Sequence, residues 1–200
     1  MSRAMLSIFR TATCAALFVL PLLAISCSNS LFKVKPVNEM AAMPASAASM
    51  NVGSLTFRAA PLLIDETIQE LFESNLQLAG LLPVRLEVVH NSGESIEMKK
   101  VKFRLSDSAN SEWKLISAKQ AISRIMKANG LTLYNPNARK TFEKEFRAYE
   151  FNVKEPLGHA EGKRQGLLIF QSAKKDPVAS PKNLTLTVEG LAQPVSLKLN

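Results

Sequence analysis

The chain has 200 residues, 46% of them hydrophobic, and a formal net charge of +8. This length leaves room for one domain of about 100 to 150 residues once an N-terminal segment is set aside, so a single hydrophobic core is expected. The positive charge favours acidic partners. Nucleic acid is disfavoured, because the chain is expected to be exported and no aromatic platform accompanies its lysines.

Residues 1–26 have the pattern of a targeting segment. Arg3 and Arg10 precede an apolar stretch, residues 15–25, that is short for a bilayer span and fits a signal peptide better. The sequence Leu-Ala-Ile-Ser-Cys that ends at Cys27 resembles a bacterial lipobox, with alanine in place of the usual leucine three residues before the cysteine. The resemblance implies that Cys27 is the first mature residue and carries two or three acyl chains, which anchor stably. An uncleaved anchor and an ordinary secretory signal are the alternatives.

The other cysteine, Cys14, has almost no apolar run before it, so Cys27 is the predicted lipidation site. The mature chain then has no disulfide and must be stabilised by core packing. Ser28 follows Cys27, and by resemblance to the sorting of enterobacterial lipoproteins a residue other than aspartate there implies the outer membrane. Loss of Arg3 and Arg10 with the targeting segment reduces the formal charge from +8 to about +6.

A tether is predicted over residues 27–52. Ala, Ser, Met and Pro dominate residues 40–50 without a period that would bury one face. A flexible chain of this length reaches about 25 to 30 Å. The globular domain is therefore predicted over residues 53–200.

The domain is predicted to open with a strand and a helix. Leu55 and Phe57 have the parity of a first strand. Apolar residues then recur at helical spacing between Asp65, a candidate N-cap, and Gly80, a candidate helix end. The apolar side of this helix is interpreted as core.

A hairpin is predicted next. Residues 82–88 alternate so that Val84, Leu86 and Val88 share one face, with Arg85 and Glu87 on the other. The chain is expected to turn at residues 90–93 and to return over residues 101–105. The return strand places a basic stripe on the solvent face: Lys100, Lys102 and Arg104.

The second half adds strands and helices. Residues 112–116 predict a short strand, and Ser117 with Gln120 predicts a capping box that opens a helix, expected to close one end of a sandwich. Asn-Pro at 135–136 can open another helix, with a strand as the alternative over residues 137–147. Further strands are predicted over residues 166–170, 184–188 and 195–199.

These segments carry a resemblance to a known family. Residues 82–93, 103–107, 156–157 and 166–170 look like the immunoglobulin-like domains of uncharacterised bacterial lipoproteins, and the likeness spans roughly residues 55–199. It implies a mainly β fold: an antiparallel sandwich of about seven strands with two or three inserted helices. Trp113 has no cysteine partner, so the tryptophan-and-disulfide signature of antibody domains is missing. The resemblance implies an envelope module that carries no active-site motif.

No sequence pattern predicts a catalytic residue, a metal site or a cofactor. His90 and His159 stand alone, without a second histidine or a cysteine at metal-ligand spacing, and are interpreted as surface or strand-end residues. Ser106-Asp107-Ser108 lacks a glycine elbow around a nucleophile and is interpreted as a loop.

Three functions are compatible with these features. The leading one is a lipid-anchored, non-enzymatic envelope protein that binds or scaffolds another envelope protein, with the basic stripe steering the encounter. The second is binding of an anionic envelope glycan or lipid headgroup, which salt would weaken. The third is an enzyme with no recognisable motif.

Overall fold

The structure, a computed structural model, describes residues 32–109, 111–131, 135–158 and 160–200. Several residues of the sequence predictions lie outside these ranges: the predicted signal peptide with Cys14, the predicted lipidation site Cys27, Ser28 and His159.

Eight strands form the sheet in the described ranges. They are β1 (Ala48–Val52), β2 (Leu55–Pro61), β3 (Leu81–His90), β4 (Lys102–Ser106), β5 (Glu112–Ile116), β6 (Lys163–Gln171), β7 (Thr185–Glu189) and β8 (Val195–Lys198). Their order is β1-β2-β3-β6-β5-β4-β7-β8, and neighbouring strands are antiparallel. The predicted mainly β class is confirmed.

The sheet is barrel-like and nearly closed, which differs from the predicted seven-stranded sandwich. The end strands β1 and β8 contact each other. β5 pairs with β4 through its first residues and with β6 through its last ones. One strand therefore joins what would otherwise be two separate sheets.

Two apolar clusters lie on the two sides of the sheet. The inner cluster takes alternate residues of the strands, among them Phe57, Leu86 and Leu105. The outer cluster joins Ile116 and Ile169 of the sheet to the helices, which are α1 (Asp65–Phe72), α2 (Ala118–Ala128) and α3 (Pro136–Arg147). The prediction that the second helix closes one end of a sandwich is wrong, because α2 covers the outer face of the sheet.

The helix termini follow local signals in two of three cases. The predicted capping box of α2 is confirmed: Ser117 N donates to Gln120 Oε1 at 3.0 Å, and Gln120 N donates to Ser117 Oγ at 3.4 Å. The helical alternative for residues 137–147 is confirmed, with Asn135 as the N-cap of α3. α1 is shorter than predicted and begins at Asp65 after the N-cap Ile64. It ends where Glu73 adopts a left-handed conformation.

The predicted hairpin between residues 82–88 and 101–105 is wrong in its pairing. The inward parity of Val84, Leu86 and Val88 is confirmed, since all three belong to the inner cluster. However, β3 is paired along its length with β2 on one side and β6 on the other. No side of β3 remains for β4, which pairs with β7 and β5 instead.

Residues 32–52 lie on the domain, whereas the sequence predicted a flexible tether there. Val34 is buried, Lys35 N donates to Leu71 O at 2.9 Å, and the Tyr149 hydroxyl donates to Lys35 O at 2.7 Å. β1 pairs with β2 over its full length. The folded domain therefore begins before residue 53.

Two charged residues that the alternation had placed on the solvent face are buried. Arg85 and Glu87 are 6% and 5% exposed. The Arg85 guanidinium donates to Ala41 O at 2.7 Å and to Ala42 O at 3.1 Å. Burial raises the pKa of Glu87, but Lys163 and Arg58 outweigh that effect and hold this pKa below its ordinary value.

Candidate binding cleft between β4 and β5

The sheet opens between β4 and β5. In the described ranges their ladder has two pairs, Leu105 with Trp113 and Ser106 with Glu112. Beyond these pairs β4 continues beside β7, whereas the last three residues of β5 pair with β6. A continued register would bring residues 102–104 beside residues 114–116. Residues 102–104 and 114–115 border a cleft instead.

This β4–β5 cleft has a volume of about 570 Å³. Leu115 has the same strand parity as Trp113, yet Leu115 is 37% exposed and Trp113 only 7%. The difference arises because β4 diverges from β5 after Trp113 and does not lie beside Leu115. The cleft has an apolar floor of Val101, Phe103, Trp113, Leu115 and Val153 and a charged rim of Lys102, Arg104, Glu112 and Lys114.

The segment between α3 and β6 forms the far wall of the cleft. Phe151 N donates to Leu167 O at 3.0 Å, and Leu167 N donates to Tyr149 O at 2.6 Å. The segment therefore lies beside β6 where β5 has ended, and the Phe151 ring meets the Phe103 ring edge-on at 6.0 Å. A further hollow of about 290 Å³ continues the cleft past Val153 toward Glu150 and Lys154.

Gly166 permits this close approach of the segment to β6. A Cβ at residue 166 would lie 2.6 Å from the Cα of Phe151 and 2.8 Å from its nitrogen. These distances are far below the contact distance of two carbon atoms, about 3.5 to 4.0 Å. The wall of the cleft therefore depends on glycine at this position.

The predicted basic stripe is divided by the structure. Lys102 and Arg104 line the cleft, whereas Lys100 ends the 3-10 turn Met98–Lys100 and does not line it. Arg104 donates from Nε to Glu189 at 3.2 Å and from Nη1 to Glu112 at 2.7 Å, and these two interactions raise its pKa. Lys102 forms no ion pair within the described ranges. Its charge is therefore available to a ligand.

Asp107 holds Trp113 in place at the narrow end of the cleft. The indole nitrogen donates to Asp107 Oδ2 at 3.2 Å, and Oδ1 accepts from the backbone nitrogens of Ala109 and Ser111 at 2.9 and 3.0 Å. The interpretation of residues 106–108 as a loop is confirmed for Asp107 and Ser108, whereas Ser106 is the last residue of β4. Asp107 orders the turn between β4 and β5.

The sequence pattern indicated Lys102 and Arg104 as binding residues but did not indicate Lys114, Leu115 or Val153. The shared parity of Trp113 and Leu115 was a visible signal that both face one side. The absence of a neighbour over Leu115 was not visible, because it depends on where β4 and β5 diverge.

No group of three or more His, Cys, Asp or Glu side chains in the described ranges is arranged to hold a metal ion. His90 is buried at the end of β3. Among the described residues, no helix combines the length and the apolar character that a membrane span requires.

No protein-family model matches the chain, and comparisons with curated proteins and with solved structures give no match. The function is therefore inferred from the residues of the cleft and from the sequence.

Proposed function

We propose that the chain is a lipid-anchored, non-enzymatic protein of the bacterial cell envelope that binds an extended segment of another envelope protein in the β4–β5 cleft. Acylated Cys27 is the proposed anchor and the outer membrane the proposed location. The observation that carries the binding role is the opening of the sheet over an apolar floor. The resemblance to immunoglobulin-like lipoprotein domains supports the proposal only through the mainly β, antiparallel architecture.

The two diverging strands favour an extended partner. Alternate residues of a strand direct their N–H and C=O groups toward each neighbour, so part of the β4 backbone at residues 102–104 faces the cleft. A segment that enters as a strand would pair with this backbone and place alternate side chains on the floor, which is recognition by strand addition. Phe103 and Leu115 offer the apolar surface for those side chains.

The charges around the cleft favour acidic residues in that segment. Lys102 and Lys114 lie on the rim, and Lys154 borders the adjoining hollow. The rim carboxylate, Glu112, is already paired with Arg104 at 2.7 Å. Complementary charge gives orientation and speed to the encounter more than affinity, so the proposed partner segment alternates apolar residues with flanking carboxylates.

The anchor is tested by metabolic labelling of the full chain with an alkyne fatty acid in a bacterial host. Cys27→Ala is expected to abolish the label. Cys14→Ala is the matched control, and it is expected to retain the label when the label is measured on the chain from which the signal peptide has been cleaved. Equal labelling of both variants would contradict the anchor without affecting the cleft.

The binding role is tested by photo-cross-linking in cells. Benzoylphenylalanine replaces Leu115 in the cleft or, as a control, Leu78, which is 48% exposed elsewhere. Position 115 is expected to give a discrete product with one envelope protein through an acidic, extended segment. Position 78 should not give that product. Products of equal yield at both positions, or none at 115, would overturn the cleft assignment.

A synthetic peptide of the captured segment then measures the contribution of the rim. Lys102→Gln is expected to weaken its binding to the purified full chain about five- to tenfold. Lys100→Gln, which removes the same charge outside the cleft, should change it less than about twofold. Neutralisation is chosen because a carboxylate at residue 102 would face Glu189 across the β4–β7 ladder. Equal effects of the two variants would mean that net charge, not the cleft, attracts the peptide.

A further inference from the structure

A second cleft, on the helical side of the sheet, is strongly basic. It lies between α2 and the segment of residues 171–175 and has a volume of about 880 Å³. Five cationic side chains line it and no carboxylate does: Lys114, Lys119, Arg124, Lys127 and Lys175. Within the described ranges, none of these five residues forms an ion pair.

The amphipathic pattern of α2 fixes the direction of its cations. Its apolar side is buried against the sheet through residues such as Ile122 and Ile125. Lys119, Ser123 and Lys127, spaced four residues apart, therefore share the opposite, exposed side. Serine hydroxyls and glutamine amides supply most of the remaining lining, so the cleft is rich in hydrogen-bond donors.

Hydrogen bonds hold the opposite wall in place. Arg124 donates from Nε and Nη2 to Ala79 O at 3.2 and 3.0 Å, and from Nη2 to Lys175 O at 2.8 Å. Ser172 N donates to Gly80 O at 2.9 Å. The Arg124 charge is thus fixed between α2 and the 171–175 segment, and the cleft is formed before any ligand enters.

Five cations around one cleft repel each other unless an anion lies among them. Lys119 and Lys127 are separated by about 12 Å along the helix, and three further cations line the same cleft, so a single anionic group balances only part of this charge. Phosphate groups offer several oxygens to ammonium and hydroxyl donors at once. We propose that this cleft binds a ligand that carries two or more phosphate groups.

This site does not depend on Cys27, and it shares one side chain, Lys114, with the rim of the β4–β5 cleft. The same phosphate chemistry can come from a soluble diphosphate or from neighbouring lipid headgroups. The competing explanation is a solvated basic helix face with no ligand, and the experiment is designed to separate these three cases.

The first arm is isothermal titration of the detergent-solubilised full chain with inorganic pyrophosphate. Lys119→Gln/Lys127→Gln is compared with Lys140→Gln/Lys144→Gln, which removes two exposed lysines of α3 and changes the net charge equally. The cleft variant is expected to weaken pyrophosphate binding about tenfold or more, and the α3 variant less than about twofold. Circular dichroism of both variants checks that the helices remain folded.

The second arm uses vesicles of phosphatidylglycerol mixed with phosphatidylcholine, compared with phosphatidylcholine alone. The site is supported if the cleft variant loses pyrophosphate binding and the α3 variant keeps it. If the cleft variant also loses vesicle binding, lipid headgroups are a usable source of the phosphate groups. Vesicle binding that both double variants keep would limit the site to soluble ligands. Two results would overturn the proposal. One is that pyrophosphate does not bind and both variants bind vesicles equally; the other is that both variants weaken pyrophosphate binding equally.

Discussion

Gly166→Ala tests the packing that shapes the β4–β5 cleft. The added methyl group would lie 2.6 Å from the Cα of Phe151 and 2.8 Å from its nitrogen. Both are backbone atoms, so no side-chain rotation can relieve the overlap. The segment of residues 149–151 must move away from β6, which stretches the hydrogen bonds between Phe151 N and Leu167 O and between Leu167 N and Tyr149 O.

The size of the effect follows from these contacts. Overpacking costs about 1 to 3 kcal/mol, and two weakened backbone hydrogen bonds cost about 1 kcal/mol each. Replacement of glycine in the unfolded chain returns about 0.4 to 1 kcal/mol. The free energy of unfolding is therefore expected to fall by about 2 to 4 kcal/mol, a large part of the stability of a typical domain.

Urea unfolding followed by tryptophan fluorescence measures this change, because Trp113 is the single tryptophan of the chain and forms part of the cleft floor. The midpoint is expected to fall by about 1 to 2 M. Gly158→Ala is the matched control, since a Cβ there meets no atom within 4 Å, and it should leave the midpoint unchanged or slightly higher. A Gly166→Ala midpoint equal to that of the control would refute the close packing of Phe151 on β6.

Three further changes test other parts of the structure. Arg85→Met removes the hydrogen bonds to Ala41 O and Ala42 O and should lower the free energy of unfolding by about 2 to 4 kcal/mol. Amide exchange should become faster at Met40 and Ala47, which donate to Val37 O and Pro44 O on either side of this contact, and unchanged exchange there would contradict the contact. Glu87 has a folded-state pKa below its ordinary 4.5, so its stabilising contribution is present above pH 4.5 and is lost as the pH falls through the lower value. Glu87→Gln should therefore flatten the acid side of the stability curve, and an unchanged slope there would count against the pairing with Lys163. Ser117→Ala should destabilise α2 by about 1 kcal/mol, because the capping box is lost. Amide exchange in α2 should then become faster, and unchanged exchange would show that the cap does not stabilise the helix.

Features that depend on neighbours in sequence could be predicted from the sequence. The capping box of Ser117 and Gln120, and the N-cap Asn135 of α3, involve residues within one helical turn. The inward parity of β3 follows from side-chain alternation alone. These predictions needed no knowledge of which elements meet.

Features that depend on distant segments could not be predicted. Alternation in β3 says that one face is apolar but not which strands lie beside it, and the nearest candidate in sequence, β4, was the wrong one. The burial of Arg85 involves residues 41–42, whose composition is typical of a linker, and the partners of Glu87, Arg58 and Lys163, lie on the two neighbouring strands. The sequence showed a charged residue at Arg104 but not its ion-pair partners, Glu112 and Glu189, which lie on the two neighbouring strands.

The position of residues 32–52 changes how the proposed anchor holds the domain. Five residue steps separate Cys27 from Phe32, whose ring packs edge-on against Phe142 of α3 at 5.2 Å. If Cys27 is acylated as proposed, the chain between it and Phe32 can span at most about 17 Å. A flexible tether that ended at residue 52 would reach about 25 to 30 Å. The helical layer is then the part of the domain held nearest the lipid. α2 packs beside α3 in this layer. β4 lies where the described helices do not cover the sheet, and the β4–β5 cleft therefore stays accessible to a protein partner.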